Sequence, residues 1–257
     1  MESPDQCKMQ GHWLLARMGK RVLRPGGLEL TKQMLNLLDV QSIDRVVEFA
    51  PGLGITARLV LNRNPAEYTA IEADEAAAIK TRNYLYGPGQ KCLLGSAEHT
   101  GLSEASATVV YGEAMLTMYS DKQKKKIIRE AHRLLQSGGR YGIHEICLIP
   151  DSLDEKIVQE IRKALSSAIH VGASPLTMAK WREFMESEGF VVKEAVKSPM
   201  HLLEPRRLVQ DEGFMGAGRF IFNVLRSPEA KKRVLVMRNI FKKYKRYISG
   251  FIMVSVK

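Results

Sequence analysis

The stretch Val46-Val47-Glu48-Phe49-Ala50-Pro51-Gly52-Leu53-Gly54-Ile55-Thr56-Ala57 most constrains what this chain can fold into. An apolar run of strand character passes through a glycine turn directly into a helix. Repeated, that unit builds a parallel sheet with helices on both faces. Gly52 and Gly54 stand where backbone can approach a ligand closely, outside the carboxyl end of the strand. Glu72 follows Gly52 by 20 residues, at the end of the next apolar run. That is the spacing at which a carboxylate accepts hydrogen bonds from ribose hydroxyls. The combination points to an adenosine-containing cofactor. Gly52-x-Gly54-x-x-Ala57 also satisfies the dinucleotide pattern, which keeps NAD as a minor alternative. Glu48 argues against it, because a carboxylate repels a pyrophosphate on the same loop and suits an ammonium or sulfonium centre.

The rest of the chain alternates in the same way. Strands are predicted at 45–49, 68–71, 92–94, 107–111 and 140–146, and helices at 55–62 and 75–84. Ser120 and Gln123 form a capping-box signature before Ile127, Ile128, Ala131, Leu134 and Leu135, which recur at helical spacing. Gly138-Gly139 is read as the stop of that helix. Helices are also expected over 5–22 and 29–39, over 151–169, and from Thr177 to Gly189. The last strands fall at 190–197 and 248–256, with about fifty residues of helical character between them. One domain over 1–257 is expected. It divides into an N-terminal helical lid (1–42), a cofactor-binding core (43–150) and substrate-side helices with the last two strands (151–257).

The net charge is +11, and it is unevenly spread. Residues 33–225 are nearly neutral, whereas 226–257 hold ten basic residues and one acidic. On the C-terminal helix, Lys231, Lys232, Arg233, Arg238, Lys242, Lys243, Lys245 and Arg246 interleave with Val234, Met237, Phe241 and Tyr244. That reads first as a docked helix with a solvated basic face. Binding of RNA, an anionic lipid surface or an acidic partner through this helix is the lesser expectation. No window is apolar for ~18 residues, so no membrane span is expected. Cys7, Cys92 and Cys147 are odd in number and scattered, which suits a reducing cytoplasm and offers no metal site.

The motifs resemble those of class I S-adenosylmethionine-dependent methyltransferases. Glu48-Phe-Ala-Pro-Gly52-Leu-Gly54 resembles the first motif and Ala70-Ile71-Glu72-Ala73-Asp74 the second. Gly95-Ser96-Ala97-Glu98 and Val109-Val110-Tyr111-Gly112-Glu113-Ala114-Met115 resemble the motifs after the third and fourth strands. Leu134-Leu135-Gln136-Ser137-Gly138-Gly139-Arg140 resembles the run before the fifth. Within the family the pattern is most similar to the small-molecule, quinone-biosynthesis-like branch (methyltransferase type 11). The resemblance implies a Rossmann-like α/β fold: a seven-stranded, mostly parallel sheet with an antiparallel last strand and helical additions at both ends. It implies S-adenosyl-L-methionine as cofactor, held by Glu48, Ala50, Gly52, Gly54, Glu72, Ala73, Ser96, Ala97, Glu98, Gly112 and Met115.

Methyl transfer from a sulfonium is an in-line displacement, and a base is needed only where the nucleophile must lose a proton. The candidates are His144, Glu113 and Tyr111, at the carboxyl ends of the fourth and fifth strands. Substrate contacts are expected from Glu145, from His12, Trp13 and Arg17 on the lid, and from His201. The expected acceptor is a small, partly apolar metabolite. An RNA methyltransferase using the basic helix, and a non-catalytic cofactor-binding scaffold, remain as alternatives.

Overall fold

A computed structural model describes residues 8–257. Strands β1 (Arg45–Phe49), β2 (Glu67–Glu72), β3 (Gln90–Leu94), β4 (Ala107–Glu113) and β5 (Leu135–Leu148) are joined by crossovers. The crossover helices are α3 (Ile55–Leu61), α4 (Glu75–Arg82) and α5 (Asp121–Leu134), with a loop joining β3 to β4. Helix α1 (Gly11–Arg17) and α2 (Gly27–Leu38) precede them. After β5 come α6 (Glu155–Ile169), the two-residue β6 (Leu176–Thr177), α7 (Met178–Ser187) and β7 (Val191–Pro199). Then follow α8 (Pro205–Arg226), α9 (Pro228–Lys243) and β8 (Ile248–Val256).

The sheet runs β3-β2-β1-β4-β5-β8-β7, with β6 paired to β5 off that path. β1 to β5 pair in parallel, and β8 is antiparallel to both β5 and β7. Seven strands on that path, mostly parallel and with an antiparallel last strand, match the sequence expectation. Side chains of a strand alternate between faces. Val46 therefore meets α2, α3 and α4 on one face, together with Tyr68, Val109 and Ile252. Val47 and Phe49 meet α5 and α7 on the other, together with Tyr141, Trp181 and Phe251. A third apolar cluster joins α1, α6, α8 and α9 beyond the end of the sheet, through Leu14, Leu165, Phe220, Met237 and Phe241. No helix of the described residues is long and apolar enough to cross a membrane.

Several local expectations are corrected. The first helix is confined to Gly11–Arg17, and residues 5–7 of the expected span lie outside the described residues. Helix α2 packs against β5 and β8, so it belongs to the sheet's cover and only α1 approaches the cavity described below. Gly138 and Gly139 fall within β5, beside an irregularity in its pairing with β4, and do not end a helix. α5 itself carries the expected capping box, in which Ser120 and Gln123 bond reciprocally. α8 is broken at Gly213, whose φ of 73° and ψ of 170° are non-helical.

Candidate active site

The turn after β1 has three residues with positive φ, Ala50, Gly52 and Gly54. The two glycines serve different ends. A Cβ on Gly52 would meet nothing nearer than the Ala50 carbonyl at 3.9 Å, so its surroundings are open. A Cβ on Gly54 would lie 2.1 Å from the Tyr84 ring, so this glycine makes room for an aromatic side chain. The Glu72 carboxylate closes the turn, accepting from the Gly52 amide at 3.3 Å and the Asp74 amide at 3.1 Å. Asp74 in turn caps α4 by accepting from Ala77 N at 2.8 Å.

Beneath the turn, Glu48 is buried between two phenols. The Tyr111 hydroxyl donates to its Oε2 at 2.6 Å, and the Tyr68 hydroxyl donates to the same oxygen. Burial pushes Glu48 up to about 7, against the opposing pull of these two hydrogen bonds. Glu113 behaves oppositely. Burial alone would raise its pKa, but the Arg24 guanidinium, 3.2 Å away, and His144 Nδ1, 2.7 Å away, hold it down at about 2. Thr31 donates to Glu113 Oε1 at 2.6 Å, and Thr56 donates to Oε2. His144 is fully buried, with Nδ1 on Glu113 and Nε2 on the Pro25 carbonyl. Glu145 is also fully buried, and accepts from the amides of Met115, Leu116 and Thr117 and from the Thr117 hydroxyl.

A cavity of about 580 Å³ opens outside the carboxyl ends of β1, β2, β4 and β5. Glu48, Ala50, Gly52, Glu72, Ala73 and Met115 line it, as the motif resemblance implied. Glu113, Glu145, His12 and Trp13 also line it. Gly54, Gly112, Tyr111, His144 and Arg17 do not belong to its wall. The Ser96–Glu98 stretch lies outside it too. There Glu98 pairs with Lys126 at 3.2 Å, Ser96 Oγ accepts from the Glu98 amide, and Ala97 is packed in the core. His201 lines a second cavity with Arg206, Arg238, Lys242 and Lys245. Of the three candidate bases, His144 and Tyr111 are committed to buried partners, and Glu113 is an anion fixed by Arg24. Glu145 is held by main-chain amides.

His12 and Trp13 sit over the second-motif side. The ring centroids are 5.1 Å apart, and Lys80 Nζ lies 5.9 Å from the Trp13 ring. Burial lowers the His12 pKa, with the charge of Asp74 opposing.

The residue that sequence reasoning missed is Arg24. It lines the cavity, and its Nε and Nη2 are buried without hydrogen-bond partners among the described residues. Its signal was the basic N-terminal stretch that also holds Lys20 and Arg21. Nothing in one sequence says that Arg24 would reach Glu113 while Lys20 is buried against Asp211 and Glu212. The far wall, from Leu165, Ile169, Val171, Met237 and Phe241, is apolar.

Comparison with known proteins bears on this geometry. Residues 47–143 match the methyltransferase domain family. An uncharacterised protein of Haemophilus influenzae is 29% identical over 221 residues, spanning 84% of this chain and 86% of its own length. Among solved structures, phosphoethanolamine N-methyltransferase 2 of Haemonchus contortus, in complex with phosphomonomethylethanolamine and S-adenosylhomocysteine, superposes with a TM-score of 0.71. It is 14% identical, over 96% of this chain and 57% of that one. The [4+2]-cyclase SpnF is equally distant at 14% identity, with a TM-score of 0.72 over 95% of this chain and 91% of that one. At such identities the likeness is one of fold.

Proposed function

We propose that the protein, whose residues 47–143 match the methyltransferase domain family, is a class I S-adenosylmethionine-dependent methyltransferase that transfers a methyl group to a small, partly apolar metabolite by in-line displacement. The observation that supports this is the cavity of about 580 Å³, in which Glu48, Gly52 and Glu72 face an apolar wall built by α6 and α9. S-Adenosylmethionine, when bound, supplies an activated electrophilic methyl. The residues present fit it: Gly52 leaves open space at the turn, and Arg24 has unsatisfied donors beside the cavity. Glu72 would hold the ribose hydroxyls. Glu48 and Arg24 would hold the cofactor's ammonium and carboxylate. His12 and Trp13 would cover the nucleoside.

No general base is required of the buried network. Glu113, His144 and Tyr111 organise the floor, and rate comes from alignment and exclusion of water. For an acceptor that must lose a proton, His12 is the imidazole on the cavity wall, and burial favours its neutral, proton-accepting form. The buried free thiols Cys92 and Cys147 support a reducing, cytoplasmic setting.

Calorimetry with S-adenosylhomocysteine tests the cofactor half. Binding is expected, weakened at least tenfold by Glu72→Ala; no heat at high micromolar ligand overturns it. Incubation with methyl-labelled cofactor and cell extract tests the acceptor. Label is expected in a small organic-extractable product, and label recovered in RNA or protein would overturn the acceptor class.

A further inference from the structure

Exposed apolar side chains are concentrated on the segment of α8 that follows its break at Gly213. Phe214 is 85% exposed, Met215 91%, Ile221 47%, Phe222 56% and Leu225 60%. Their spacing, with Gly218 between, places them on one stripe over three helical turns. A second stripe, Ala217, Phe220 and Val224, is already buried against the rest of the protein. α8 therefore spends one apolar face on the core and presents a second to the outside, which is more than scattered surface hydrophobes.

The charge on this part of the chain is predominantly positive. Residues 214–246 contain ten basic residues and one acidic, Glu229. Arg219, Arg226, Lys231 and Lys232 are exposed, and none has a carboxylate partner among the described residues. Arg226 stacks over the exposed Phe222 ring at 5.3 Å. A second copy meeting this face through a two-fold axis would bring two such cationic fields together, which opposes association. An anionic lipid surface complements it. Apolar side chains would enter the boundary between headgroups and acyl chains, while lysines and arginines remain among the phosphates.

We propose that the stripe of α8 and the basic side chains beside it form a peripheral docking surface for anionic membranes. It lies on the α8–α9 pair, and α9 also supplies Met237 and Phe241 to the main cavity. The surface goes beyond methyl transfer and does not depend on it.

The test is flotation of the whole chain with phosphatidylcholine vesicles, and with vesicles in which phosphatidylglycerol is about a third of the lipid. Binding to the anionic vesicles is expected, at least tenfold tighter than to phosphatidylcholine alone and falling with salt. Phe214→Ser with Phe222→Ser should weaken it at least tenfold, and Lys231→Glu with Lys232→Glu should remove its salt dependence. Both variants alter exposed side chains only, so thermal melting and S-adenosylhomocysteine affinity should match the unmodified protein. Absence of vesicle binding overturns the proposal, as does binding indifferent to lipid charge or to these substitutions. Sedimentation velocity gives the remaining outcome. A dimer that dissolves in the Phe214→Ser, Phe222→Ser variant would assign the stripe to a second copy and overturn the lipid assignment.

Discussion

Glu48 and Glu113 lie on neighbouring strands, and their environments drive them apart. For Glu48 burial, helped by the like charge of Glu113, outweighs the two phenols and the charge of Arg24, and its pKa rises from 4.5 to about 7. Glu113 has Arg24 and His144, and stays anionic down to about 2. The consequence for Glu48 can be signed. Its folded-state value lies above its ordinary one, so the native protein retains a proton that the unfolded chain has released. The stability this contributes is full below pH 4.5 and is lost as pH rises through about 7. Glu48→Gln should therefore be neutral to stability near about pH 5 and stabilise the cofactor-free protein near about pH 8, by ~1–3 kcal/mol in urea unfolding. The same variant should bind S-adenosylhomocysteine more weakly, because an ammonium loses its carboxylate. Weaker stability at the higher pH would mean that the phenols, and not desolvation, control this site.

At the scale of elements, the β1–α3 connection shows why two glycines of one motif are not equivalent. Gly52 faces open space on the cavity wall, whereas Gly54 faces the Tyr84 ring. Gly52→Ala should cost only about 1 kcal/mol, the penalty of a left-handed backbone with a side chain, yet reduce cofactor affinity about tenfold. Gly54→Ala carries the same backbone penalty and must also displace a ring, about 3 kcal/mol together, with a smaller effect on affinity. Urea denaturation and calorimetry on both variants separate the two roles; equal effects on affinity would contradict this division. The spacing Gly-x-Gly was legible in the sequence. The division of labour was not, because Tyr84 reaches Gly54 through the tertiary fold from beyond α4.

For the whole molecule, the N-terminal segment and the C-terminal additions are tied together by buried charge. Lys20 is fully buried, with its Nζ 3.6 Å from Glu212 and 3.8 Å from Asp211. Glu212 also accepts from the Arg21 and Val22 amides, each at 2.8 Å. Asp211 accepts from Leu28 N at 3.0 Å. These carboxylates stand immediately before the Gly213 break, so the bend in α8 and the course of residues 20–28 define one another. Arg24, within that course, is thereby aimed at Glu113 and the cavity. Glu212→Ala should destabilise the protein by about 3 kcal/mol or more, since it leaves a buried ammonium and two amides short of partners. Urea denaturation measures the cost; a loss under ~1 kcal/mol would show that the tie is dispensable. By itself, the sequence determined the alternating strands and helices, the mostly parallel sheet with its antiparallel last strand, and the glycine turn after β1. Alternating apolar runs, glycine turns and caps are short-range features, and a parallel sheet leaves them few arrangements. Tertiary structure alone decided which charged groups are buried against one another. It tied His144, Tyr111 and Glu113 to buried partners, and it brought Arg24 to the cavity. Their hydrogen-bond partners lie 31, 63 and 119 residues away, and no local pattern encodes a separation of that kind.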